Sequence, residues 1–76
     1  MGMLVAARRI ESDADQVRYE FGFDHAFDRI LRIDRHTLGA SVEDGVFDSA
    51  ASAITAKIFR SWQSGGDYPL QISFAS

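Results

Sequence analysis

Cysteine is absent from this chain. That excludes disulfides and any zinc site built on thiolates. Lysine is almost absent: seven of the eight basic residues are Arg, and Lys57 is the exception. A surplus of positive charge is missing too, since the formal net charge is −3. General nucleic-acid binders carry a basic face, so this balance weighs against that class. It is too small to make a polyanion mimic. No apolar run approaches the roughly 20 residues of a membrane-spanning helix, so no membrane partner is expected. Met3 to Ala7 is apolar but is followed by Arg8 and Arg9, the reverse of a secretory signal. Ala6 stands where an N-myristoylation motif needs Ser or Thr. A cytoplasmic protein is the expectation.

The chain has 76 residues, room for one small domain spanning 1–76. Such a domain gains little from burial once chain ordering is offset. With no disulfides to help, a dense aromatic core or self-association must supply the difference. Six Phe, two Tyr and one Trp allow the first. An apolar share of 46% and a charged share of 25% are ordinary for a folded domain.

The clearest local pattern runs from Phe47 to Gln63. At the helical period, Phe47, Ala50, Ala51, Ile54, Ile58, Phe59 and Trp62 share one arc. Ser49, Ala53, Ala56, Lys57, Arg60 and Gln63 share the other. Asp44 or Asp48 is the candidate N-cap. Lys57 and Arg60 are expected toward the C-terminal end, where the helix dipole favours positive charge. Ser64-Gly65-Gly66 stops the helix, one glycine taking the left-handed conformation.

Before the helix the period is two. Val17, Tyr19, Phe21 and Phe23 alternate with Arg18, Glu20, Gly22 and Asp24, so an aromatic face turns inward and a charged face outward. Met3 to Ile10 makes a hairpin with this strand through the polar, turn-prone stretch of five residues from Glu11 to Asp15. Asp24-His25-Ala26 reads as a tight connection. Phe27 to Ile33 follows, with Arg29 out of phase. Either a bulge near Asp28 or a strand starting only at Arg29 or Ile30 repairs this. Asp34 to Thr37 is a turn, and Leu38 to Val42 returns as a fourth strand weakened by Gly39. After the helix, Leu70, Ile72 and Phe74 alternate with Gln71, Ser73 and Ala75. This tail is a fifth strand at a sheet edge or an extended arm across the core.

The predicted class is α+β: a three- to four-stranded antiparallel meander, one amphipathic helix of about 16–18 residues on one sheet face, and an extended C-terminal tail (ββββα). One helix covers one side of a sheet. The other side carries Arg18, Glu20 and Arg32, which can pair across strands for about 0.2–1 kcal/mol each. Ile10 or Ile30, whichever lies outside, adds an apolar element. Arg18, Glu20, Arg32 and Ile30 are therefore the candidate interaction surface.

No catalytic, cofactor-binding or metal-binding set emerges. His25 and His36 are residue types that titrate near neutrality and lie in turns beside aspartates, but polar residues belong in turns and no nucleophile accompanies them. Two histidines separated by a strand do not make a metal site. Asp13, Asp15, Glu43 and Asp44 lack the spacing and glycine of a calcium loop. Gly65-Gly66 follows a helix, whereas a phosphate cradle precedes one. Trp62 reads as a core anchor. The function these absences leave is a small non-enzymatic binding module. It would form a homodimer, or meet another protein, through a sheet face or edge. The alternative is a nucleic-acid-binding accessory protein using Arg8, Arg9, Arg18, Arg29, Arg32 and Arg35.

Overall fold

The computed structural model describes residues 3–75. Five strands and one helix follow in order: β1 Leu4–Ser12, β2 Gln16–Phe23, β3 Arg29–Asp34, β4 Ala40–Val42, α1 Ser49–Gly65 and β5 Gln71–Ala75. The class is α+β as expected. The strands form a single antiparallel sheet in the order β4-β3-β2-β1-β5. The first four make a meander. The helix then carries the chain across the sheet, and the tail joins as a fifth strand at the far edge, beside β1.

Alternation decides the faces. Val5 and Ala7, then Val17, Tyr19 and Phe21, then Leu31 and Ile33, then Val42 turn to one side and are buried. The helix lays Ala50, Ala51, Ile54 and Ile58 against them. Burial of Ile54 and Ile58 stabilises the domain by about 1.5–3 kcal/mol each. The helix runs nearest β5 and β1. Val5 and Ala7 are small and admit it there, whereas Tyr19 and Phe21 fill the space above β2.

Several boundaries differ from expectation. The first hairpin loop is shorter, because β1 runs to Ser12 and β2 starts at Gln16. A bulge at Ile10 shifts the register there. The tight connection at Asp24-His25 is a left-handed turn, with φ of 51° and 64° and the Ala26 N–H donating to the Phe23 carbonyl at 3.0 Å. The third strand begins at Arg29, as one of the two expected repairs has it, and Arg29 sits at the inner-face rim with its guanidinium 4.8 Å from the Phe21 ring centroid. Leu38 and Gly39 fall outside the fourth strand, Leu38 having a left-handed φ of 62°. Phe23 shares parity with Phe21 but lies at the strand end and is 52% exposed.

The helix is capped by Asp48, whose carboxylate accepts the Ala51 N–H at 3.0 Å. Phe47 precedes the helix and is 48% exposed, so it is not part of the apolar stripe. Gly66 ends the helix with φ 77°, its N–H donating to the Trp62 carbonyl at 2.7 Å. The helix runs two residues beyond Gln63, so Lys57 and Arg60 precede the last turn, which carries no basic side chain.

Beyond the helix end the chain is held by Tyr68. Its ring stacks on Trp62 at 5.5 Å and 15°, and meets Phe59 edge-on. Trp62 is half-buried in this cluster and packs against the core, as an anchor does. Tyr19 reaches under it and donates its hydroxyl to the Pro69 carbonyl at 2.6 Å. Arg9 Nη1 donates to the Tyr68 carbonyl at 3.0 Å. These bonds deliver Gln71 to its place beside Arg8.

Candidate functional site

The outer sheet face gathers all four residues of the expected interaction surface. Arg18 stands opposite Arg32, and Glu20 opposite Ile30. Two arginines in register repel. Glu43 resolves this: its Oε2 accepts from Arg18 Nη2 at 3.1 Å and from Arg32 Nη2 at 3.2 Å. Glu11 lies 3.6 Å from Arg18 Nη1, and Glu20 accepts from Arg8 Nε. Exposed pairs of this kind contribute little to stability. Their consequence is electrostatic: the arginines of this face are already matched by carboxylates. Ile30 is half-buried among them, while the bulged Ile10 is the more exposed isoleucine.

The outer face is not fully open. Gly22, Ala6 and Ser73 stand side by side across β2, β1 and β5. This row of small side chains is a depression. The connection from β2 to β3 folds into its near end. A Cβ on Gly22 would lie 2.8 Å from Asp28 Oδ1 and 2.9 Å from the Phe27 nitrogen, so only glycine fits. Ala6 is buried on what was expected to be the uncovered side. Phe27 adopts φ 48°, rare for a bulky side chain. Its ring is held by the Arg8 guanidinium 4.4 Å above it and by the edge of His25 at 5.9 Å.

What remains of the depression is a groove of about 330 Å³. Its floor is Ala6, one wall is His25 and Phe27, and Arg8, Gln71 and Ser73 line it too, with Ala7 and Ile72. The sequence marks none of these as a groove residue: His25 is expected in a polar turn, and Arg8 among the arginines of the nucleic-acid alternative. The one signal was Gly22, a glycine inside a strand, which marks close backbone approach.

His36 lies in the β3–β4 turn, at the opposite end of the meander from His25. Asp34 closes that turn, accepting the His36 N–H at 2.8 Å and the Thr37 N–H at 3.1 Å. The two bonds hold its carboxyl below the usual range. His36 Nε2 lies 3.0 Å from Asp15 Oδ1, and this bond raises its pKa from the ordinary 6.5. Asp13 accepts from the Gln16 and Asp15 N–H groups, and its carboxyl is lowered for that reason. Among the described residues no three His, Asp or Glu side chains converge as metal ligands would. No described helix is long and apolar enough to cross a membrane.

The six strand-half arginines divide. Arg8, Arg18 and Arg32 share the outer face, while Arg9, Arg29 and Arg35 serve the inner one. Arg35 lies 5.1 Å over the Tyr68 ring and donates to Ser12 Oγ at 2.6 Å. No family model, no curated protein and no solved structure matches the chain.

Proposed function

We propose that this chain is a small non-enzymatic interaction module that pairs with a second copy of itself through the edge of β5. The observation that supports the reading is the chemistry of that edge. Natural edge strands are guarded by charge, proline or bulges. Gln71–Ala75 has none of these.

The bonding phase of the edge follows from one contact. The Arg9 N–H donates to the Leu70 carbonyl at 2.8 Å. Antiparallel ladders alternate, so the backbone of Ile72 and Phe74 turns toward β1. The N–H and C=O groups of Gln71, Ser73 and Ala75 then turn outward. A two-fold pairing centred on Ser73 sets Gln71 against Ala75 of the second copy, and Ile72 against its Phe74. The interface is isologous, as closed dimers require. Beside the edge, a second groove of about 270 Å³ runs between Phe74 and the helix flank at Ala53 and Ala56. Those small side chains leave room for the apolar residues of an added strand.

The nucleic-acid reading draws less support, because Arg18 and Arg32, the neighbouring pair of outer arginines, already share the Glu43 carboxylate. The module reading keeps the cytoplasmic setting expected from the sequence.

Light scattering after size exclusion tests the proposal. A dimer is expected, and Ser73→Pro returns a monomer. Proline there removes an outward N–H and no bond to β1. A strict monomer of the unaltered chain at high micromolar concentration sinks the reading.

A further inference from the structure

We propose that the groove over Ala6 binds a small aromatic carboxylate. Its volume, about 330 Å³, suits a ligand of one or two rings. No carboxylate lines it, in a chain with 11 acidic residues against eight basic ones. Arg8 is its one formally charged lining residue.

The position of Arg8 matters. Across the strands it stands between Glu20 and Gln71. Its Nε is engaged by Glu20 on the β2 side. Its two Nη groups make no hydrogen bond among the described residues, and the groove lies on the β5 side. A planar carboxylate matches a guanidinium face in geometry as well as charge. Gln71 and Ser73, on the same wall, offer an amide and a hydroxyl as further donors. Stacking on Phe27 holds the guanidinium in place before any ligand arrives, which limits the ordering lost on binding.

The aromatic wall selects the ring. His25 and Phe27 form an aromatic corner over the alanine floor. Three of the five residues Asp24 to Asp28 are in the left-handed region without being glycine. Such backbone costs free energy and persists where the surroundings enforce it. Here the result is that two rings are brought over the sheet.

The groove uses side chains above the sheet, whereas the dimer reading uses backbone groups at its edge. Either can fail alone.

The test is amide-detected NMR titration of the full chain with benzoate and indole-3-acetate, against benzamide as the uncharged counterpart. Saturable shifts are expected at Arg8, His25, Phe27, Gln71 and Ser73 with both acids, and binding of benzamide weaker by roughly tenfold or more. Arg8→Gln, at an exposed position, is expected to lower acid affinity by about tenfold with the spectrum otherwise folded. Gln71→Leu gives a second, smaller loss at a site that the core does not touch. Absence of saturable shifts with either acid overturns the proposal. So does benzamide binding as tightly as benzoate, or unchanged affinity in both variants.

Discussion

Arg29 Nη1 donates to both carboxylate oxygens of Asp48 at 3.1 Å, and Oδ1 of that carboxylate also accepts the Ala51 N–H at 3.0 Å. One aspartate thus ties the third strand to the start of the helix. Arg29 completes the clasp with Nε to Asp44 at 2.9 Å and Nη2 to the Val46 carbonyl at 2.7 Å. A planar fork with several donors suits this task and an ammonium does not. Arg29→Lys is therefore expected to lower the denaturation midpoint measurably. In an Asp48→Ala background the same change should have a smaller effect, because the shared bond is already gone. A double-mutant cycle followed by circular dichroism reads the coupling.

The clasp also sets an acid limit. The N-terminal helix bond and Arg29 hold the Asp48 carboxyl below the usual range, and the Arg29 bond does the same for Asp44. A carboxyl lowered by folding contributes stability above its unfolded pKa, near 3.8, and loses it as pH falls through the folded value. Denaturation midpoints of the unaltered chain should thus decline below about pH 4. Asp48→Asn keeps a capping oxygen but removes a titrating group. Its decline over that interval should be shallower, and an unchanged slope would count against the clasp.

Tyr19 and Tyr68 are both buried but are not equivalent. The Tyr19 hydroxyl is bonded to Pro69, whereas the Tyr68 hydroxyl has no partner among the described residues. Tyr19→Phe should cost about 0.5–1.5 kcal/mol and loosen the approach to β5. Tyr68→Phe should be neutral or slightly stabilising, since it deletes an unsatisfied polar atom and keeps the stack on Trp62. Urea denaturation of the two variants separates them. Burial also pushes the Tyr19 phenol well above its ordinary pKa of 10. Ultraviolet titration should show it ionising only under strongly alkaline conditions.

Gly22→Ala should destabilise the domain by about 1–3 kcal/mol, the usual range for overpacking. The added methyl meets the backbone nitrogen of Phe27 at 2.9 Å, which cannot swing aside as a side-chain tip can. Hydrogen exchange should show the loss concentrated in the loop from Asp24 to Asp28 rather than in the helix.

His36 supplies a pH reporter. Asp15 raises its pKa, so the folded state favours the imidazolium. The pairing is complete below the unfolded pKa of 6.5 and fades as pH rises through the folded value. NMR titration should place the His36 midpoint above the ordinary one, and Asp15→Asn should move it back down. An unmoved midpoint in that variant would sink the pairing.

Legibility followed periodicity. The helix could be read from Ala50, Ala51, Ile54 and Ile58, because a stripe at 3.6-residue spacing has one interpretation at this length. The strand bearing Tyr19 and Phe21 could be read for the same reason. Arg29 blurred the third strand because its parity is that of the core although its head is charged. Only an ion-pair partner far along the chain explains it, and local pattern carries no such information. Phe47 misled by matching the stripe just outside the cap. Alternation alone puts Arg18, Glu20 and Arg32 on the outer face, whereas the choice between Ile10 and Ile30 needs the strand register. The groove was not foreseen, because it depends on the path of a loop through left-handed backbone at Asp24, His25 and Phe27, residue types that do not announce it.

The lodging of the last strand against the first has a consequence for synthesis. Val5, Ala7 and their neighbours are made well before their partner, so the backbone on one side of that strand has none until Gln71–Ala75 has left the ribosome. Until that segment emerges, the nascent chain displays a raw β-ribbon flank to whatever is nearby. Termination before Gln71–Ala75 would leave that flank bare permanently, producing a species that clumps or is degraded.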